Sequence, residues 1–244
     1  TAMDTLLNRH RLTMNGLFDL SHLESHVCSH LQRVYACLAM GLLAAAAGAY
    51  IGMYLVPLYG LVAALASLGL LLYIQSGRDN FGPERHAAFA AFCALSGSGM
   101  APLIGLAIDM DPSILVNAII ITMVVTVCFC GAALLAKTSR WMMYLAGPLA
   151  SGLTVLLLLS LANIFVRSPF MFDITLKLTL LVFCGFMVYD TQKIVEMARM
   201  GDKDYISHCL DLFMDVVEVF RVVLILLMKQ QDDGGKEKRK KSKN

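Results

Sequence analysis

Long apolar stretches alternate with short polar connections along almost the whole chain. A helix that crosses a bilayer needs about 20 predominantly apolar residues. Stretches of this kind predict helices near 34–56, 58–75, 86–108, 113–136, 141–166, 174–196 and 206–228. Strands are not expected, because the stretches are long and lack the alternation of a transmembrane barrel. The pattern predicts an all-α, polytopic membrane helix bundle whose seventh helix is more polar than the others.

The composition excludes a water-soluble enzyme. The 244 residues are 58% hydrophobic and 16% charged, whereas a soluble domain is about 45–50% apolar and about 25% charged. No Asp, Glu, Lys or Arg occurs in 34–75, 86–108, 113–136 or 141–166. We therefore expect a cytosolic N-terminal segment (1–30), a seven-helix membrane domain (31–228) and a basic, disordered tail (229–244).

The distribution of positive charge predicts the orientation of the bundle. With a cytosolic N-terminus, the cytosolic connections carry Arg78, Arg85, Lys137, Arg140, Lys193, Arg199 and Lys203, and the outer ones carry only Arg167. The tail from Lys229 onward holds seven basic and three acidic residues. A full seventh crossing would place this tail outside. The charge rule leaves open whether 206–228 crosses or re-enters, and it favours a cytosolic tail.

Gly97, Gly99 and Pro102 lie in the third apolar stretch and allow two interpretations. Small residues let membrane helices approach closely, so they can simply serve packing. Glycine and proline together are also typical of a kinked or broken helix. A helix break at these residues is therefore one prediction, with plain packing as the alternative.

The seventh stretch contains an acidic stripe. His208, Asp211, Asp215 and Glu218 follow one another at helical spacing, so they share one face. Arg221 lies three residues after Glu218 and is placed to pair with it. Each charge near the bilayer centre costs about 2.5–3.5 kcal/mol. The stripe must therefore face protein or water rather than lipid.

Asp190 in the sixth stretch is a candidate partner for the stripe. With a rise of 1.5 Å per residue, Asp190 lies about 10 Å and Asp215 about 14 Å below the same membrane surface. Gly201 is the expected turn of the hairpin between the two helices. Two carboxylates in one desolvated site cannot both ionise cheaply, so the pair should share a proton. Deprotonated, they would repel and offer oxygen ligands to a cation such as Ca²⁺.

Several segments resemble the Bax inhibitor-1 family of membrane proteins. The resemblance is carried by VYDTQKIVE, GDKDYISHCLDLFMDVVEVFR, YACLAMGLLAAAAGAY and GSGMAPLIGLAIDMDPSILVNA, in order over about residues 30–230. It implies six helices around a central seventh and a pH-sensitive Ca²⁺ leak of the endoplasmic reticulum. It also implies pairing of Asp190 with Asp215 as pH sensor, gate and transient Ca²⁺ ligands. Suppression of stress-induced apoptosis, with contacts to Bcl-2-class anti-apoptotic proteins, is implied as well.

The same residues also limit the alternative functions that the sequence allows. No enzymatic activity is expected, because His86 and His208 lie at the edges of separate spans and no mid-span His accompanies a Ser. No resident cofactor is expected, since the seven cysteines show no CxxC pair and no zinc-ligand spacing. The expected partners are the lipid bilayer, Ca²⁺ and protons, with no nucleic acid. The remaining alternative is a non-conducting membrane regulator that binds cell-death or stress proteins.

Overall fold

The computed structural model describes residues 24–54, 59–77, 82–136 and 144–241. Within these ranges the chain forms helices and no strand. The helices are α1 (Ser25–Gly52), α2 (Tyr59–Ser76), α3 (Pro83–Met110), α4 (Pro112–Leu135), α5 (Ala146–Val166), α6 (Pro169–Arg199) and α7 (Tyr205–Lys241). The predicted all-α class is confirmed. Residues 1–23 of the predicted N-terminal segment lie outside the described ranges, as do Arg78, Lys137 and Arg140.

Five of the helices (α1, α3, α4, α5 and α6) are long and apolar enough to cross a membrane. Their outer faces carry large, well-exposed hydrophobic side chains such as Leu43, Val127 and Phe165. In a polytopic membrane protein such side chains face lipid, where their exposure carries no hydrophobic penalty. The described helices therefore fit a multi-pass membrane bundle, as the apolar pattern predicted.

The seventh helix lies at the centre of the bundle. It packs against α1, α2, α3, α4 and α6, while α5 is held against α6. Among its fully buried residues are Leu210, Leu212, Val219 and Leu224. Neighbouring helices shield the polar residues of α7 from lipid, and this explains how a helix with a lower apolar content is accommodated in the membrane domain.

Local sequence signals set the turns between helices. Asp111 caps α4, because its Oδ1 accepts a hydrogen bond of 2.8 Å from the backbone N–H of Ser113, and Pro112 follows in the first turn. Gly201 has a φ of 90° between α6 and α7, a left-handed conformation that glycine adopts without strain. The turn predicted at Gly201 is confirmed.

The third helix is not broken. It is continuous from Pro83 to Met110, with Pro102 inside it, so the predicted break at Gly97, Gly99 and Pro102 is absent. Gly97 instead serves close packing against α1. A Cβ at Gly97 would lie 1.9 Å from the Ala45 carbonyl oxygen, whereas one at Gly99 would meet nothing within 4 Å. Membrane helices tolerate an internal proline, and Gly97 lets two backbones touch.

The last helix runs the full length of its neighbour. Lys193 of α6 pairs with Asp211 near one end of the α6–α7 hairpin, and Asp173 pairs with Lys229 at the other. No re-entrant turn interrupts α7 between Tyr205 and Lys241. The helix thus continues into the residues from 229 onward, for which the composition predicted a disordered tail.

The two ends of the described chain lie at opposite ends of the bundle. His30 near the start of α1 contacts His208 near the start of α7, with ring centroids 5.4 Å apart. Lys229 lies at the far end of α7, beside Asp173. The expectation that the N-terminus and the tail both lie in the cytosol stays a prediction.

Candidate functional site

The acidic stripe of α7 lies inside the protein, as its cost in lipid requires. Asp211, Asp215 and Glu218 line one cavity of about 650 Å³, which we call the inner cavity. His208 lines a second cavity and is buried. The local ion pair at the end of the stripe is present, with Arg221 Nε donating to Glu218 Oε2 over 2.8 Å.

Asp190 and Asp215 come together at the inner cavity, one from each arm of the α6–α7 hairpin. The two residues are only 7% and 4% exposed, and both line this cavity. Asp215 Oδ2 has no hydrogen-bond partner. The similar depth calculated from the helical rise therefore corresponds to a position on one shared cavity.

The residues that follow Asp190 fasten α6 to its surroundings. Thr191 is fully buried and its hydroxyl donates to the Met187 carbonyl oxygen over 2.7 Å. The Gln192 side-chain amide donates to the carbonyl oxygen of Ala133 in α4. The segment 190–192 (Asp-Thr-Gln) thus places one carboxylate in the cavity and two polar side chains in contacts within and between helices, which fixes the orientation of Asp190.

Lys193 is a central residue of the site that the sequence reasoning missed. Its Nζ lies 2.9 Å from Asp211 Oδ2 and 3.8 Å from Asp190 Oδ1. It was counted among the cytosolic loop charges, although it follows Asp190 by three residues. That spacing places both side chains on one face of α6, and it is the signal that identifies the pairing.

The second cavity lies next to the α6–α7 turn, and we call it the loop cavity. It measures about 530 Å³ and is lined by Gln75, Lys193, Met197, Gly201, Asp202, Lys203, Asp204, Ser207, His208 and Asp211. His208 Nε2 is 3.7 Å from Asp202 Oδ2. Lys193 and Asp211 line both cavities, so their ion pair lies where the two meet.

A buried ion pair closes the same end of the bundle, and the sequence reasoning did not identify it either. Arg85, 1% exposed at the start of α3, donates from Nη1 and Nη2 to the two carboxylate oxygens of Asp204 over 2.7 and 2.8 Å. Its Nη2 also reaches Ser207 Oγ at 2.9 Å, and its Nε donates to the Ile74 carbonyl at 3.1 Å. Three helices and the α6–α7 connection meet at this guanidinium.

The charge partner decides the ionisation of Asp204. Burial raises the pKa of this carboxyl, but the hydrogen bonds from Arg85 and Ser207 outweigh burial, so the pKa lies below its ordinary value. Asp204 is therefore ionised at neutral pH and holds Arg85 as a bidentate pair. The cost of burying two charges is offset only because each has several partners.

In the described ranges no group of three or more His, Cys, Asp or Glu side chains is arranged to hold a metal ion. All seven cysteines are free thiols. The oxygens of Asp190, Asp211 and Asp215 are the donors that a hard cation prefers, but a Lys ammonium lies among them. The arrangement can bind a proton and can attract a cation, and it contains no nucleophile beside a base.

Comparison with known proteins tests the family resemblance. The family model described as "Inhibitor of apoptosis-promoting Bax1" matches residues 27–232. Bax inhibitor 1 of Bos taurus is 39% identical over 220 residues, which cover 88% of this chain and 92% of the relative. The chain belongs to the Bax inhibitor 1 family. Human Bax inhibitor 1 is 38% identical over 218 residues, and that of Arabidopsis thaliana 39% identical over 212.

The match to the Bax inhibitor 1 family covers the whole candidate site. The inner and loop cavities are lined by residues between Ser67 and Glu218, and all of these fall within the matched range. The resemblance carried by the segments VYDTQKIVE and GDKDYISHCLDLFMDVVEVFR is therefore confirmed at the level of the family. The family's description refers to inhibition of an apoptosis-promoting protein.

Proposed function

We propose that this Bax inhibitor 1 relative is a proton-sensitive Ca²⁺ leak of the endoplasmic-reticulum membrane. By lowering stored Ca²⁺ it would suppress stress-induced apoptosis. The observation that carries the proposal is that Asp190 and Asp215, both buried, line one cavity in which one Asp215 oxygen has no hydrogen-bond partner. Buried ionisable residues of this kind are costly in a membrane and usually serve ion or proton pathways.

The pair supports two states of the α6–α7 hairpin. With one shared proton, the carboxyl groups hydrogen-bond and hold the two helices together. With the proton removed, like charges repel and their oxygens become ligands for a hard cation. Asp211 and Glu218 add negative potential to the inner cavity, while Arg221 pairs with Glu218 and limits it. No catalytic step and no resident cofactor form part of the proposal.

The decisive experiment is Ca²⁺ flux through the purified protein in liposomes, measured between about pH 5 and pH 8. Wild type, Asp190→Asn and Asp215→Asn are compared with Asp173→Asn, which breaks an α6–α7 ion pair outside both cavities. We expect a leak whose pH dependence disappears in Asp190→Asn and Asp215→Asn and persists in Asp173→Asn. Absence of flux above empty liposomes, with folded and inserted protein, would refute the leak.

A second candidate is favoured by the family description, which names inhibition of a pro-apoptotic protein. In this alternative the protein is a non-conducting regulator that binds Bcl-2-class or other cell-death proteins. Its carboxylate pair would then control the shape of the hairpin rather than ion flow. Deletion of residues 232–244 that abolishes protection of stressed cells, with Asp190 and Asp215 substitutions silent, would favour this candidate over the leak.

A further inference from the structure

Two of the acidic residues that line the loop cavity are already neutralised by a partner. The Lys193 ammonium lies 2.9 Å from Asp211 Oδ2, and Arg85 binds Asp204 over 2.7 Å. Lys203 lines the cavity as well, but its side chain is exposed and forms no ion pair with another described residue. The loop cavity therefore carries one positive charge without a partner beside two complete ion pairs.

Asp202 provides a negative charge on the same cavity. Its Oδ1 accepts a hydrogen bond of 2.8 Å from the backbone N–H of Asp204, whereas its Oδ2 accepts none from a described residue and lies 3.7 Å from His208 Nε2. His208 is 5% exposed, and this ring nitrogen has no hydrogen-bond partner. Buried polar atoms in native proteins are nearly always hydrogen-bonded. The cavity thus offers a carboxylate oxygen and a buried ring nitrogen that the protein does not use.

The loop cavity lies at the height of the lipid headgroups. It adjoins the connection that follows the end of the membrane-spanning helix α6 at Arg199, and headgroups lie directly beyond the hydrocarbon core. Gln75 of α2 and Met197 of α6 both line it, although α2 packs mainly against α3. Near these two residues, Leu72 is 63% and Met200 67% exposed. Apolar side chains that face lipid therefore flank a polar cavity.

We propose that the loop cavity binds the headgroup of an ethanolamine phospholipid. The Lys203 ammonium binds the lipid phosphate, and Asp202 Oδ2 accepts a hydrogen bond from the ethanolamine ammonium. The acyl chains lie along the ends of α2 and α6. The volume of about 530 Å³ is typical of a small-molecule site. This inference concerns the loop cavity alone and does not depend on the proposed leak.

The two unpaired charges favour a zwitterion over a ligand of one sign. An anionic headgroup such as phosphoglycerol would bind Lys203 but would have no positive group to face Asp202. Like charges brought together at a binding site weaken the complex. A choline headgroup carries the same two charges as ethanolamine, but its quaternary ammonium has no N–H. A primary ammonium has three N–H donors, so only the ethanolamine headgroup satisfies both side chains.

The first test measures lipid binding to the purified, delipidated full chain by native mass spectrometry. Wild type should bind phosphatidylethanolamine about tenfold more tightly than phosphatidylcholine or phosphatidylglycerol with the same acyl chains, because only the first makes both charged hydrogen bonds. Lys203→Met should weaken phosphatidylethanolamine binding about tenfold. Asp202→Asn should remove the preference for ethanolamine over choline. Equal binding of the three lipids by wild type would overturn the proposal.

Arg199→Met is the matched control for Lys203→Met. Arg199 carries the same charge at the same end of α6, but it pairs with Glu196 and does not line the loop cavity. We expect Arg199→Met to bind phosphatidylethanolamine as wild type does. A loss as large as that of Lys203→Met would assign the effect to general surface charge and overturn the site. Displacement of the lipid by an equal concentration of free phosphoethanolamine would assign the cavity to a soluble compound and overturn the lipid.

A second measurement uses the wild-type chain in liposomes and does not depend on how the variants fold. Phosphatidylethanolamine and phosphatidylcholine probes carry a diazirine at the start of one acyl chain, and cross-linked peptides are identified by mass spectrometry after photolysis. The ethanolamine probe should label peptides around Leu72 and Met200 severalfold more than the choline probe does. Leu157 of α5, which is 60% exposed, should be labelled equally by both. Equal labelling by the two probes around Leu72 and Met200 would overturn the proposal.

Discussion

A methyl group added at Gly97 should destabilise the bundle by about 1–3 kcal/mol, the usual cost of overpacking a close contact. Its Cβ would lie 1.9 Å from the Ala45 carbonyl oxygen, whereas favourable contacts between heavy atoms begin near 3.5 Å. The helices α1 and α3 would therefore have to separate by roughly 1.5 Å at this point. The obstructing atom belongs to the backbone, so no side-chain rotation can relieve it. The gain in helix propensity from Gly to Ala, up to about 1 kcal/mol, offsets only part of this cost.

The assay is denaturant unfolding of the purified protein in detergent micelles, followed by circular dichroism. Gly99→Ala is the matched control, because Gly99 lies on the same helix as Gly97 and its Cβ would meet no heavy atom within 4 Å. We expect Gly99→Ala to equal or exceed wild type, and Gly97→Ala to unfold at lower denaturant concentration. Gly48→Ala should behave like Gly97→Ala, since its Cβ would lie 2.0 Å from the Ala94 oxygen. Equal midpoints for Gly97→Ala and Gly99→Ala would refute the backbone contact.

Three further predictions concern the Arg85 end of the bundle and the path of α7. Arg85→Gln should lower the free energy of unfolding by about 3–5 kcal/mol, because it leaves the Asp204 carboxylate buried without its charge partner. The double variant Arg85→Met with Asp204→Leu should recover most of this loss, and a double variant as unstable as Arg85→Gln would contradict the argument. Folding lowers the pKa of Asp204, so the stability that this carboxylate provides is complete above its ordinary pKa of about 3.9 and is lost as the pH falls through the lowered pKa. The unfolding midpoint of the wild type should therefore fall in acid. The part of this pH dependence that comes from Asp204 should vanish in Asp204→Asn. A small reporter after Asn244 should be accessible from the opposite side of the membrane to one inserted at Gly201, and accessibility from the same side would rule out a full crossing by α7.

Much of the candidate site could be predicted from the sequence because a charged side chain in the membrane interior has a high free-energy cost. Asp211, Asp215 and Glu218 recur at helical spacing, and three carboxylates on one face of an otherwise apolar helix cannot face lipid. Asp190 and Asp215 line the same cavity because a short connection forces the two helices into an antiparallel hairpin, in which distance from the turn measures depth. These inferences needed only local spacing and a rise per residue.

The remaining residues could not be assigned from spacing because their partners are fixed by packing. Lys193 and Arg85 both counted as cytosolic loop charges, and one binds the acidic stripe while the other is buried. The partner of Arg85 lies 119 residues along the chain, and no sequence period relates them. The packing of α7 along α6 likewise depends on contacts between the helices, whereas the positive-inside rule considers only the charges beyond the helix ends.

The Arg85–Asp204 pair also has a consequence for the order of biosynthesis. Arg85 enters with the third helix, and the ribosome must add 119 residues before Asp204 exists. At about 5–20 residues per second this interval lasts roughly 6–24 s. During that time the guanidinium lacks its carboxylate, and its place at the start of α3 lets it remain at the membrane surface. Closure of this end of the bundle is therefore a late event, reached only after most of the helices have been synthesised.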